Sequence, residues 1–429
     1  MSKDPRAWAQ RVFWFAQEGD VIILSDAPDQ AFVQHVGRVK GIDMSKVRVH
    51  ICPPGRYEAR KLDPYAMLAP EFVASVAKDL KNVSEIFSLF PSAQLSEFAA
   101  RLGMRDRLPG ADFFAQGGSE MANSKATFRI LAAAAEIASA PGTVCRSPYD
   151  AVQAMLWLLA QGHSVMVKKA HNGMGAGNEM VLSSGVEAPT NVGAQHMYRL
   201  AAEADAVTRY WKERWAWASV DGKYPVVVEA LLSTVATYYA EFLVRDAGVE
   251  LGGVGCLSFT EGLVAPRETV PAHGLPDLQR RALVLGAEAL ARSYHALGYR
   301  GHLCADAVAT TDGEIVFTEV NARTTTSTHL YSVIADQVID LPTDEDYLLR
   351  QLYHPLAWNT PTTEAFLDAI NDAGLAYDPK RRKGILMSMP VVPGNGGCLL
   401  VIASGGDDEE EAYLRRLNAL FEDAPMAAT

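Results

Sequence analysis

The chain has 429 residues, 49% of them hydrophobic and 21% charged, with a formal net charge of -12. That length supports two or three packed units around a large apolar core, and the composition is ordinary for a globular enzyme. The acidic balance argues against a general nucleic-acid binder, which needs basic surface against phosphates, and leaves room for a cationic substrate.

Five cysteines (Cys52, Cys145, Cys256, Cys304 and Cys398) are scattered and never form a Cys-x-x-Cys pair, so neither a disulfide framework nor a zinc site is expected. Asp4, Arg6, Arg11 and Glu18 interrupt any signal-peptide core, and no uncharged apolar run reaches the ~18 residues of a membrane span. The expectation is a protein of the reducing cytoplasm, without a membrane or nucleic-acid partner.

In chain order, residues 20–26 read as a short buried strand, and Val47 to Cys52 as another, closed by Pro53-Pro54-Gly55. Helical patterns run from Pro70 to Gly103. This α/β start is Rossmann-like but lacks a Gly-x-Gly-x-x-Gly loop, so it is assigned no dinucleotide. Gly117-Gly118-Ser119 opens a second region. A helix is expected there from Asn123 to Ala140, with Asn123 and Ser124 as candidate caps and Pro141-Gly142 as its stop. Ala151 to Gln161 reads as helix, and Ser164 to Lys168 as a strand with a return strand near Met180. Residues 193–217, rich in Trp and Tyr, read as helical. Strands follow at Val226 to Glu229, Tyr238 to Val244 and Gly252 to Phe259, then a helix from Pro276 to Leu297. The tail holds a strand at Ile385 to Met389, a Pro-Gly-Asn-Gly-Gly turn at 393–397, a strand at Leu399 to Ala403 and a charged helix from Asp407.

The most informative segment is His302 to Arg323. Asp312-Gly313 is a strong signal for a two-residue hairpin loop. With that loop Asp306 stands opposite Glu319 and Cys304 opposite Asn321. Period-two alternation puts Asp306, Glu319 and Asn321 on one face, with Arg323 if the strand continues. Two carboxylates facing at roughly 5 Å repel. Flanked by Val308, Ile315, Val316, Phe317 and Val320, they call for a proton or a bridging cation, and an oxygen-only set suits magnesium. The plainer reading is an edge hairpin with solvated acids.

Val165-Met166-Val167-Lys168, followed by His171-Asn172-Gly173-Met174-Gly175-Ala176-Gly177, is the second signal. Glycines at alternate positions let backbone N–H groups close around phosphate oxygens, and a strand lysine adds a point charge. The lysine precedes the glycines, so this is not a P-loop. Alternation lets only one of Lys168 and Lys169 point into a site. An ordinary hairpin loop explains the glycines equally well. Lys125, in the first turn of its helix, is unfavourable by the helix dipole, which suggests a role beyond a solvated surface. Trp211, Trp215 and Trp217 could form a peptide surface, but near-helical spacing favours a core position for the first two.

Taken together, Lys125, Lys168 with its loop, Val226 to Leu232, Asp306 and Glu319-Val320-Asn321-Ala322-Arg323 resemble the ATP-grasp superfamily, in its usual motif order. The resemblance implies an α+β, ATP-grasp fold in four parts. These are a Rossmann-like (pre-ATP-grasp) α/β domain at 1–122, a small subdomain with the glycine-rich loop at 123–228, a large subdomain with the metal site at 229–375, and a short C-terminal α/β segment at 376–429. It implies ATP and Mg2+ as cofactors. Lys125 and Lys168 would contact the phosphates and Gly173, Gly175 and Gly177 would cover them. Glu229, Ala230 and Leu231 would hold adenine, largely by backbone groups. Asp306, Glu319 and Asn321 would bind the metal, and Arg323 would steady an acyl-phosphate and oxyanion, making Arg323 and Lys168 the catalytic pair.

Two positions depart from the superfamily pattern. Ala236 stands where an acid often holds the ribose, with Glu241 as the candidate substitute. Cys304 stands where some dipeptide ligases carry an arginine. The implied activity is an ADP-forming ligation of a small-molecule carboxylate to an amine or peptide through an acyl-phosphate, with a homodimer allowed by the resemblance. Ile22 to Asp26, Gly117-Gly118-Ser119-Glu120, Glu319 to Thr328, Lys383-Gly384-Ile385 and Val401 to Gly405 further resemble the peptide ligases of antibiotic biosynthesis. A carboxylase, a carboxylate kinase and a non-catalytic ATP-binding protein are the alternatives.

Overall fold

The computed structural model describes residues 8–422 apart from Tyr57, 59–61, Met174, Ser184, 188–192, 259–266, 342–346, 355–357, 359–361 and 393–396. The strands are β1 (Val21–Leu24), β2 (Arg48–Ile51), β3 (Gly142–Cys145), β4 (Val165–Lys169), β5 (Asn178–Ser183), β6 (His196–Leu200), β7 (Val226–Ala230), β8 (Thr234–Arg245), β9 (Gly248–Ser258), β10 (Arg267–Val270), β11 (Gly301–Thr310), β12 (Ile315–Asn321), β13 (Leu348–Tyr353), β14 (Gly384–Met389) and β15 (Leu399–Ser404). The chain divides into two compact units. The first comprises Met1–Gly117, Gly252–His273 and Arg323–Thr429, and the second Gly118–Leu251 and Gly274–Ala322. Among the described residues no helix is long and apolar enough to cross a membrane.

In the first unit β1 and β2 pair in parallel. The Gln30–Lys40 helix between them starts at Asp29, whose side chain accepts the Phe32 N–H, and stops at Gly41 in the left-handed region. Strands β10, β13, β15 and β14 neighbour one another in that order, all antiparallel. β14 and β15 are buried along their whole length, which explains why Ile385 to Met389 and Leu399 to Ala403 read as nearly unbroken apolar runs. The Asp407–Phe421 helix opens on four acids, a favourable charge for its dipole, and Glu410 among them is buried against Arg267 and Arg350.

The second unit holds a five-stranded sheet in the order β3-β7-β4-β5-β6, antiparallel except for the β5–β6 pair. The helices Pro148–Ala160 and Ala204–Ser219 pack Met155, Leu158 and Trp211 onto Val165, Val167, Val226 and Val228. Ser147 and Asp150 close a reciprocal capping box at the first helix. Strands β12, β11 and β8 are neighbours in this unit, joined by the Asp277–Ala296 helix. On that helix a Cβ at Gly286 would meet the Phe317 ring at 2.5 Å, so only glycine permits the approach.

Three expectations need correction. The helix expected to reach Ala140 ends at Ala134, because the chain beyond it pairs with β12: the Phe317 N–H donates to Ala138 O at 2.9 Å. The helix expected over 193–217 is strand β6 followed by a helix from Ala204. The parallel ladder onto β5 decides this local conformation, not the aromatic content. The hairpin loop is three residues, Thr311 to Gly313: the Thr310 N–H donates to Glu314 O, and Gly313 takes φ +90°. Most of the turn expected at 393–397, and Phe259 at the end of an expected strand, lie outside the described residues.

Candidate active site

The longer loop would slip the hairpin by one position and turn every side chain of β12 to the wrong face. A bulge prevents it. Near the loop Ala307 pairs with Phe317, Val308 with Val316 and Ala309 with Ile315. Beyond the bulge Asp306 pairs with Glu319, Ala305 with Val320 and Cys304 with Asn321, as the sequence pattern anticipates. The extra residue is Thr318. Its hydroxyl donates to Asp306 O at 3.3 Å, and its own carbonyl accepts from Lys168 Nζ at 3.3 Å. The bulge thus aims a backbone oxygen at the lysine while restoring the acid register.

The two acids divide one charge. Burial, then the neighbouring Glu319, pushes the Asp306 carboxyl well above its usual range, and Glu241 adds to the effect. Burial also opposes charge on Glu319, but Lys125, at 2.7 Å from Glu319 Oε2, and Lys168 hold it ionised. Asn321 Nδ2 donates to Asp306 Oδ2 at 2.9 Å and lies 3.4 Å from Glu319 Oε1. Cys304 Sγ sits 3.4 Å from Asp306 Oδ1. Asp306, Glu319 and Asn321 are therefore brought together on one face. A divalent cation fits this donor set. It would relieve the repulsion between the two acids, and turning over the Asn321 amide exchanges its nitrogen for its oxygen in place.

Lys125 loses its helix-dipole misfit through two short contacts. Its Nζ reaches Glu319 and donates to Asn172 O at 2.7 Å. Lys168 is buried and points inward, within 2.5 Å of Glu229 Oε1. Lys169, one residue on, lies over the Trp217 ring at 4.4 Å, so alternation separates the two lysines as expected. The glycine loop bridges β4 and β5, the Lys169 N–H donating to Gly177 O and the Asn178 N–H to Gly175 O. Gly175 has φ +68°, and a Cβ there would meet Gly193 O at 2.5 Å, so both backbone and space require glycine. Gly173 and Gly177 flank it, while Met174 lies outside the described residues.

The Glu229 side chain is engaged within the protein. Its carboxylate joins Lys168 to Arg129, whose Nη1 lies 2.8 Å from Glu229 Oε2 and whose Nη2 donates to Ala140 O and Gly142 O. The N–H groups of Ala230 and Leu231 are also committed, to Pro141 O at 2.7 Å and Ser164 O at 2.8 Å. Sequence reasoning missed Arg129, although it stands four residues after Lys125 on the same helix face, a spacing that brings side chains together.

Glu241 faces Cys304 across the β8–β11 ladder, on the side that carries Asp306. Ala236 has the opposite parity on β8 and points to the other face. Glu241 therefore lies on the face of the acid cluster, opposite to that of Ala236. Trp211 is fully buried and Trp215 packs on the same core, so the core reading holds for both. Arg323 lies in the first unit, where its guanidinium sits over the Phe90 ring at 5.8 Å.

Residues 9–104 match the family described as the Pre ATP-grasp domain. No curated protein sequence matches the chain. Among solved structures, the biotin carboxylase of Campylobacter jejuni in a β,γ-ATP complex superposes with a TM-score of 0.60 at 14% identity, covering 94% of this chain and 91% of that one. The N5-carboxyaminoimidazole ribonucleotide synthetase of Thermus thermophilus gives 0.57 at 14% identity, covering 98% of both chains. The biotin carboxylase domain of the Hydrogenobacter thermophilus 2-oxoglutarate carboxylase, solved with MgADP, ADP and bicarbonate, gives 0.58 at 13% identity, covering 94% and 90%. The fold is the ATP-grasp fold, with a pre-ATP-grasp domain at its N-terminus.

Proposed function

We propose that this protein is an ATP- and magnesium-dependent ligase that activates a carboxylate as its acyl-phosphate and passes the acyl group to an amine. The observation that carries the reading is the register Asp306↔Glu319, with Lys125 and Lys168 converging on the same acids. Opposed acids in a dry hairpin are costly unless cations meet them. The solved relatives that bind ADP, MgADP or an ATP analogue support the same assignment.

Both reactants are anions, so the chemistry is mainly positioning and charge neutralisation. Asp306, Glu319 and Asn321 would hold magnesium, which supplies charge screening for the phosphates. Lys168 and Lys125 would exchange Glu229 and Glu319 for phosphate oxygens. A donor carboxylate oxygen then bonds to the γ-phosphorus as the bond to ADP breaks. The amine next attacks the acyl carbon and inorganic phosphate leaves. In this reading Arg323 steadies the oxyanion, and the loop of Gly173, Gly175 and Gly177 excludes water from the labile intermediate. Adenine would take its contacts from 229–231 by displacing internal bonds or by using carbonyl oxygens.

The finer reading is a cytoplasmic peptide ligase of antibiotic biosynthesis, similar to the peptide ligase of pheganomycin biosynthesis and joining an amino-acid derivative to a peptide N-terminus. The four-part division at 122/123, 228/229 and 375/376 and a homodimeric state belong to the same proposal. Carboxylation is the second reading, since several structural relatives are carboxylases. The test is phosphate release from MgATP across a panel of carboxylates, guanidino acids, amines and short peptides, with product mass read in parallel. Release that requires a carboxylate and an amine, with an amide product, supports the ligase. Release that requires bicarbonate alone selects the carboxylase.

A further inference from the structure

Phe90 is 56% exposed, at a bend for which sequence patterns suggest no role. Single exposed aromatics are common and need no explanation. This one lies beneath two guanidiniums: Arg11 Cζ is 5.6 Å and Arg323 Cζ 5.8 Å from the ring centre, within the ~6 Å reach of a ring quadrupole. The neighbouring backbone is tied to the same place. The Thr324 N–H donates to Leu89 O at 3.2 Å and the Thr324 hydroxyl to Ser88 O at 3.4 Å. The Thr324 carbonyl accepts from Arg11 Nη2 at 3.2 Å and from Arg323 Nη1 at 3.4 Å. Thr324 itself is buried, and Phe87 anchors the segment by packing on Phe15 at 4.5 Å between ring centres.

We propose that Phe90 is a positioning residue for Arg323: through residues 88–90 the pre-ATP-grasp domain fixes both the backbone that follows this arginine and the plane of its guanidinium. The inference rests on reading Arg323 as the group that steadies the acyl-phosphate. A free arginine has many rotamers to lose, so a preset guanidinium loses less freedom on meeting its ligand. Contact through the ring face suits this purpose. It restrains the guanidinium from one side without competing for its in-plane hydrogen bonds. The N-terminal domain would thereby act on the chemistry through Arg323.

The test uses Phe90→Leu, which keeps apolar bulk and removes the quadrupole, with Phe90→Trp as the conservative rescue. In the full-length protein Phe90→Leu should lower kcat for amide formation about two- to fivefold with KM for ATP unchanged, and Phe90→Trp should restore it. In an Arg323→Met background Phe90→Leu should have no further effect. The Arg323 Nε–H resonance supplies a readout without turnover: it should lose its ring-current shift in Phe90→Leu. An unmoved resonance overturns the shelf, and a moved resonance with unchanged kcat overturns the positioning role. If the wild type turns over no ATP with any substrate pair, the ligase reading and the catalytic half of this inference fall together, while the resonance still reports the contact.

Discussion

The two units shelter their buried polar groups by different means. The second unit pairs charges: Glu229 between Lys168 and Arg129, and Glu319 against Lys125 beside Asp306, whose carboxyl is pushed well above its usual range. The first unit also buries a charged cluster, Glu410 against Arg267 and Arg350, but adds a network built largely from uncharged side chains. His329 Nε2 meets the Ser388 hydroxyl at 2.5 Å, Ser388 donates to Gln351, and Gln351 donates to Glu268 and Thr326 O. His35 Nε2 accepts the Met387 N–H at 3.0 Å. A neutral network holds its shape with nothing added. Paired charges can be handed to a ligand, since each lysine that now meets a carboxylate has a phosphate-like partner already. This contrast predicts that charge-changing substitutions act on the lysines and acids of the second unit, and that acid acts through the buried histidines of the first unit's network.

Asp306→Asn should break the comparison most sharply. Burial and the facing Glu319 push this carboxyl well above its usual range, so its amide copy should keep or slightly raise the melting temperature while ATP turnover falls about a hundredfold or more. Turnover within about threefold of wild type would remove Asp306 from the metal site. Glu229→Gln should cost about 3–5 kcal/mol of stability by chemical denaturation, because it strands two buried cations. A change below about 1 kcal/mol would mean that Lys168 and Arg129 find water readily.

Acid tests the first unit. Burial, with a contribution from nearby Arg38, holds the His35 pKa at about 3, and burial does the same for His329, with Arg11 adding to it. The unfolded chain protonates these rings near pH 6.5 while the folded protein does not until about pH 3. Stability should therefore be full above pH 6.5 and fall as pH drops through this window, by about 1.4 kcal/mol per pH unit for each ring. His35→Gln should flatten the slope by one proton, and an unchanged slope would contradict a neutral His35. The smallest effect should come from Lys169→Met, which removes only a cation–π contact with Trp217: under about 1 kcal/mol, with KM for ATP within about twofold.

How much of this was legible in the sequence depended on the range of the interaction. The Asp306–Glu319 pairing is local, and Asp312-Gly313 located it even though the loop is one residue longer than expected. The bulge at Thr318 cancels that residue, and no sequence signal announced it. Lys168 and Glu229 meet diagonally because Met166 pairs with Glu229 on neighbouring strands, an adjacency fixed by sheet order and not by any local pattern. Strand β6 hid inside a Trp- and Tyr-rich stretch because its conformation comes from pairing with β5. Phe90 carried no signal at all, since its meaning depends on Arg11 and Arg323, both distant in the chain.

The most direct test of the central claim is isotope transfer. With a donor carboxylate identified by the panel and labelled with 18O, turnover with MgATP should move one 18O into the released phosphate for each amide formed, because an acyl-phosphate passes its bridging oxygen to phosphorus. Unlabelled phosphate, or AMP and pyrophosphate in place of ADP and phosphate, would contradict it.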